Sequence, residues 1–292
     1  MLGKKSQSKK AWVVAVDMGY GHQRTAYPLR DLAFNGKVIN ANNYNGIPIK
    51  DREIWRTTKS LYEFISRFRR IPFIGLGLFL FFDSFQKIMG YYPKRDLSKS
   101  NLSGRIVFSS IKKGWGMDLI RKIGKTPLPL VTTFFTPAFM AEYFNYPGDI
   151  YCIICDADIA RAWAPLLPQN SRIKYCAPTS HVVERLMRYG VPENQIFLTG
   201  YPLPQENIGS EERLEIVRGD MGSRLLNLDP NHSYCYQYES LVREYIGRLP
   251  KKSTHPLTLL FSIGGAGAQR DIAYAAAKSL SKKIKAGAWR FS

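Results

Sequence analysis

Cysteine is scarce, with four in 292 residues. That is too few for a disulfide framework in a chain of this length. Cys152 and Cys155 have CxxC spacing, but Tyr151-Cys152-Ile153-Ile154-Cys155 reads as a buried strand. A structural zinc site needs a second ligand pair, and Cys176 and Cys235 stand singly. The expectation is four reduced thiols, a cytosolic setting and no metal. Acidic residues are scarce too: 23 Asp and Glu against 42 Lys and Arg, a formal charge of +19. Such a surface attracts phosphate as nucleic acid, anionic lipid or nucleotide-linked substrate. Long apolar runs are missing. The longest, residues 71–82, carries Pro72, Gly75 and Gly77 and is closed by Asp83. It falls short of the roughly 20 residues that span a bilayer. The apolar run at 11–16 is too short for a signal peptide and is followed by Asp17 and Gly19. No repeat of solenoid period is present.

Two glycine-rich turns stand out against these absences. Asp17-Met18-Gly19-Tyr20-Gly21-His22 follows the strand-like run 12–16 and precedes a helical stretch over 23–34. Gly264-Gly265-Ala266-Gly267-Ala268-Gln269 follows the strand-like run 257–263 and precedes a helix over 271–284. Two strand–glycine turn–helix units this far apart predict two Rossmann-type domains, each starting on its own first strand. Between them the pattern alternates. Strands are expected at 38–41, 105–108, 128–134, 150–155, 171–176 and 195–199, with helices at 117–123, 138–144 and 180–189. Alternation of this kind means a parallel sheet with helices on both faces.

The resulting organisation has four parts. Residues 1–10 are a basic tail, and 11–204 an N-terminal Rossmann-like α/β domain. Residues 205–256 form a helical connector with helices at 211–218 and 238–248. Residues 257–292 hold the first βα unit of a second domain. Within the first domain, residues 52–95 interleave apolar residues at helical spacing with Arg and Lys. Such a segment suits a membrane interface, with Phe68, Phe73, Ile74, Leu76, Phe79 and Phe82 toward lipid and Arg67, Arg69 and Arg70 at the phosphates. The other reading is a helical hairpin buried on the sheet.

Each motif also has a plain structural reading. Glycines in the first turn let a ligand approach the backbone, and the helix start offers N–H groups to a phosphate, carboxylate or sugar oxygen. His22 at its mouth is a candidate base, or a helix-capping histidine in an ordinary loop. The second turn lacks the Gly-Lys-Ser/Thr ending of a Walker A loop, which removes an ATPase reading. Asp156 and Asp158 end a strand at the ligand edge of an open sheet, where they hold a metal or cap the next helix.

Taken together, four passages resemble the lipid-directed GT-B glycosyltransferases: the peptidoglycan-precursor N-acetylglucosaminyltransferase and the mono- and diacylglycerol glycosyltransferases. Gly19-Tyr20-Gly21-His22-Gln23-Arg24-Thr25-Ala26 is similar to their GGGHxxxA turn. Cys155-Asp156-Ala157-Asp158 with Trp163 is similar to a TD…W strand end. Residues 183–202 resemble the passage closing their first domain, and 264–269 their GGSxG-type phosphate loop. The resemblance implies a nucleotide-sugar donor, UDP-linked, as substrate rather than cofactor, its diphosphate on 264–269. It implies a lipid acceptor entering across the first domain, with Gly19, Gly21, Gln23, Asp156 and Asp158 lining the turn and His22 as base. It further implies no bound metal, no nucleic-acid partner, and a peripheral place on the inner face of the cell membrane. Met18 and Tyr20 depart from the family's smaller residues. A complete second domain runs well over a hundred residues, so residues 257–292 read as an incomplete one. Two alternatives stay open: a non-catalytic binder of anionic lipid or nucleic acid, and a sugar-nucleotide epimerase-like enzyme.

Overall fold

The computed structural model describes residues 10–68, 88–210, 212–262, 270–287 and 290–291, with the backbone alone for 61–68 and 290–291. The described chain divides into two compact units between Pro202 and Leu203.

The first unit is α/β. Its strands are β1 (Trp12–Ala15), β2 (Ile39–Asn40), β3 (Leu130–Thr132), β4 (Ile150–Ile153), β5 (Lys174–Ala177) and β6 (Ile196–Leu198). They form one six-stranded sheet in the order β2-β1-β3-β4-β5-β6, every pairing parallel. This is the sheet of a Rossmann-like domain. From β1 the chain crosses outward to β2, then returns past β1 to β3, and all later strands add on that side. The winding therefore reverses between β1 and β3. In open parallel sheets the crevice beyond the carboxyl ends at such a reversal is where ligands bind.

Alternation along β1 explains why both faces are covered. Val14 and Val16 point into one core with Leu130, Ile150, Cys152, Tyr175 and Ala177. Val13 and Ala15 point into the other with Ala26 and Ala33. Side chains of a strand alternate between faces, so a run apolar at every position must be buried on both.

The helices are α1 (Tyr20–Ala26), α2 (Ile49–Phe68), α3 (Leu102–Lys112), α4 (Met117–Gly124), α5 (Phe135–Tyr143) and α6 (Ser180–Arg188). α1 is shorter than the predicted 23–34. Pro28 lacks the N–H that an α-helix interior requires, and the chain continues instead as a 3₁₀ turn, Tyr27–Leu29. The predicted strand at 105–108 is wrong, because these residues lie inside α3. Ile-Val-Phe has strand propensity, but the buried positions Gly104 and Ile111 and the half-buried Val107 and Phe108 recur at helical spacing. The Asn101 side chain caps the helix start by accepting from the Gly104 N–H at 3.0 Å.

α2 is seated by two residues one turn apart. The buried Asp51 carboxylate accepts the Gly116 N–H at 3.1 Å, and Trp55 packs edge-on against Trp115 at 4.7 Å. Lys59, one further turn along the same face, is thereby brought to the mouth of the sheet.

The second unit holds α7 (Gln205–Ile208), α8 (Glu215–Leu228), α9 (Ser233–Gln237), α10 (Glu239–Tyr245) and α11 (Arg270–Lys285). The strands β7 (Thr258–Leu259) and β8 (Arg290–Phe291) pair in parallel either side of α11. α11 buries none of its residues. No helix among the described residues is long and apolar enough to cross a membrane. The second glycine turn, 264–269, and residues 69–87, with Arg69, Arg70, Phe73, Ile74, Leu76, Phe79 and Phe82, lie outside the described residues. Arg67 and Phe68 close the backbone of α2.

Candidate functional site

The first glycine turn leaves β1 at the reversal of the sheet. Gly19 has φ +153°, a backbone conformation in which a side chain is strained. Gly21 differs. Its φ is not positive, and a Cβ there would meet nothing within 4 Å. The turn is held from the β2 side by Asn42, whose Oδ1 accepts the Asp17 N–H at 2.9 Å and whose Nδ2 donates to the Asp17 carbonyl at 3.2 Å. Lys59 Nζ lies 2.9 Å from the Asp17 carboxylate.

His22 is the centre of the cluster. Its Nδ1 lies 2.9 Å from the Thr133 carbonyl oxygen and 3.0 Å from Cys155 Sγ. The Thr133 hydroxyl returns a bond to the His22 carbonyl at 2.9 Å. Thr133 follows β3 and Cys155 follows β4, so three successive strand ends converge on one imidazole. A carbonyl oxygen only accepts. The Nδ1 proton is therefore assigned by this network, which leaves Nε2 with the lone pair. Phe134 packs edge-on to the ring at 4.8 Å, and Trp163 lies 6.3 Å away. This aromatic wall buries most of the imidazole. Burial lowers the His22 pKa below its ordinary 6.5, against smaller upward pulls from Asp156 and from the Thr133 bond. The imidazole is neutral at pH 7.

Asp156 stands beside it. Burial raises its pKa, and the charge of His22 opposes the rise. Cys155 is pushed up to about 12, by burial first and then by Asp156. A cysteine 3.0 Å from a histidine invites a nucleophilic reading, but a reactive cysteine needs a depressed pKa and an imidazole free to take its proton. Here the thiol is held protonated and Nδ1 is already a donor. Cys155 positions the ring. Tyr201, after β6, lies near enough to Asp156 and Cys155 that both add to the rise that burial gives its pKa.

The cluster thus unites His22, Gly19, Gly21, the half-buried Gln23 and Asp156 at one sheet edge. Asp158 faces elsewhere. Its carboxylate accepts from Arg185 Nε at 2.9 Å and Nη2 at 2.7 Å, from the Ile159 N–H at 2.8 Å, and lies 2.9 Å from His181 Nε2. Arg185 is fully buried and donates on to the Met89 carbonyl. Asp158 is an anchor, not a partner to Asp156. Sequence reasoning gave no role to Thr133, Phe134 or Asn42, and took Cys155 as a strand residue opening the passage similar to TD…W. Thr133 follows directly on β3, and Phe134, Cys155 and Asn42 each come two residues after a parallel strand. The usable signal was their place at carboxyl ends, once the sheet order is known.

Searches of family models, of curated proteins and of solved structures return no match to this chain.

Proposed function

We propose that this chain is a glycosyltransferase of GT-B type. It transfers a sugar from a nucleotide-sugar, UDP-linked, to a lipid or lipid-linked acceptor at a membrane surface. One observation carries the reading. His22 stands at the reversal of a parallel sheet, with Nδ1 tied to the Thr133 carbonyl and Nε2 left as a neutral base. Sugar transfer to a hydroxyl needs that: a base within reach of the acceptor O–H, uncharged at working pH. The open space over Gly21 leaves room for the acceptor to come close to the backbone. The donor would lie on residues 264–269. The order of the four sequence passages supports this assignment of parts.

The alternative is a non-catalytic binder of anionic surfaces, favoured by the βαβ unit of β7, α11 and β8, whose helix has no fully buried residue. Transfer of label from a panel of UDP-sugars into lipid, with membranes present, separates the two. His22→Asn keeps a donor near the Thr133 carbonyl and removes the Nε2 base. The expected loss is about 10²–10⁴-fold, the usual range for general base catalysis. The acid limb of kcat/KM should have its midpoint below pH 6.5, because burial depresses the His22 pKa. Absence of transfer from every donor, or an unaltered rate in His22→Asn, makes the binder the better reading.

A further inference from the structure

The second unit carries a cavity of about 610 Å³ that none of the motifs explains. It opens to solvent between α8 and the segment that follows α10. Glu215, Ile216, Arg218, Gly219, Asp220 and Ser223 line it from the helix, and Ile246, Arg248, Pro250, Thr254 and His255 from the segment.

Its acids are already engaged. Both Glu215 oxygens accept from the Ser210 N–H, at 3.1 and 3.2 Å, and the Ser210 hydroxyl adds a bond at 2.9 Å. Asp220 lies 3.1 Å from His255 Nε2. Its basic groups are not matched in the same way. Arg218 Nε is buried and has no hydrogen-bond partner among the described residues. An arginine cannot shed its proton, so Arg218 brings a fixed charge to the cavity lining with one N–H unanswered. Arg248 brings a second cation from the opposite wall. Ser223 and Thr254, whose hydroxyls lie 3.0 Å apart, share one bond, which leaves one hydroxyl proton of the pair to turn toward a ligand.

Two glycines of α8 give an independent sign. A Cβ at Gly222 would press on Pro250 at 3.1 Å, with Leu249 and Ile246 close behind. Close packing accounts for that residue. One helical turn earlier, a Cβ at Gly219 would meet nothing within 4 Å, and its φ is not positive. Neither packing nor backbone geometry calls for a glycine in the middle of this helix, where it costs stability. Gly219 lines the cavity, and an alanine there would take space from it.

We propose that this cavity binds a small soluble ligand through an oxyanion of phosphate type. Arg218 and Arg248 supply the charge, the Ser223–Thr254 pair one supporting donor, and Gly219 the clearance. The inference is independent of the glycosyltransferase reading, since it uses no residue of the His22 cluster.

The test titrates the whole chain with inorganic phosphate, followed by calorimetry and by amide resonance shifts. Saturable binding in the millimolar range or tighter is expected, with shifts at residues 215–223 and 246–255. Arg218→Lys keeps the charge and removes the Nε–H. It should weaken binding by about tenfold, the order expected when one charge-assisted bond is lost. Gly219→Ala should raise the melting temperature and still weaken binding, a combination that general unfolding cannot produce. Shifts confined to residues 17–25 overturn the proposal. So does phosphate affinity unchanged in both variants, or attachment only to phosphatidylglycerol vesicles with no response to free phosphate.

Discussion

Gly19 and Gly21, two residues apart, are glycine for different reasons. Gly19 is required by its backbone, at φ +153°. Gly19→Ala should destabilise the chain by about 1–3 kcal/mol, the cost of forcing a side chain into a sparsely populated region. Gly21 sits in α1 with open space beyond its Cα. Gly21→Ala should stabilise by about 0.5–1 kcal/mol, since alanine is the better helix former and narrows the unfolded ensemble. It should also lower acceptor use. Urea unfolding of both variants beside the wild type reads the two signs. Equal destabilisation by both would mean that packing holds Gly21. The glycine-turn pattern was legible in the sequence, and so was His22 at its mouth. The tautomer was not. It depends on the Thr133 carbonyl, 111 residues away in sequence, and no local pattern announces such a partner.

At the level of elements, the sequence was most legible where apolar runs were short and continuous. The runs at 12–16 and 150–155 became the buried parallel strands β1 and β4, whereas the mixed stretch 171–176 is strand only from Lys174. It misled at 105–108, where local strand propensity lost to burial of one helical face against α5, through Phe108 and Phe139 at 5.3 Å. The larger gap concerned Asp158. Two acids at a strand end look alike in sequence, yet only the fold shows that α6 delivers Arg185 to one of them. Their environments also differ in sign. Burial alone would raise the Asp158 pKa, but bonds from Arg185, His181 and the Ile159 N–H together hold it below the ordinary carboxylate value. This is a stabilising link. It is fully present above the unfolded pKa near 3.9 and lost as pH falls through the lower folded value. At neutral pH, Asp158→Asn deprives the buried Arg185 guanidinium of the carboxylate it is bonded to. The expected cost is about 3–5 kcal/mol in urea unfolding at pH 7. Arg185 donates to the Met89 carbonyl and Arg188 to that of Tyr91, so the same variant should expose residues 88–98 to limited proteolysis. A cost under about 1 kcal/mol, the worth of an exposed pair, would reduce this network to surface decoration.

For the whole molecule, the reversal of the sheet between β1 and β3 does most to organise function. It places His22, Thr133, Cys155 and Asp156 on one edge although they come from positions 22 to 156 of the chain. Residue types and spacing cannot reveal strand order, so the cluster could be expected from the sequence only through resemblance. Charge is the other property of the whole. With a formal +19, long-range attraction to any anionic surface is assured, and it alone does not single out one segment. The proposal of a membrane-bound acceptor needs more: particular cations must meet the lipid. Arg67, Arg69 and Arg70 are the candidates. A cation at an anionic membrane surface is worth about 1 kcal/mol, so replacing these three by alanine should weaken binding to phosphatidylglycerol vesicles by roughly 10²-fold. The loss should shrink as salt rises, because screening shortens the reach of each charge. The control replaces three cations outside that segment of the sequence, Lys10, Arg30 and Lys37. General attraction predicts the same modest loss from either set, measured by vesicle co-sedimentation across a salt series. A local contact predicts the large loss from Arg67, Arg69 and Arg70 alone. If the two triple variants weaken binding equally, the segment has no special place at the membrane, and the acceptor must reach His22 from solution.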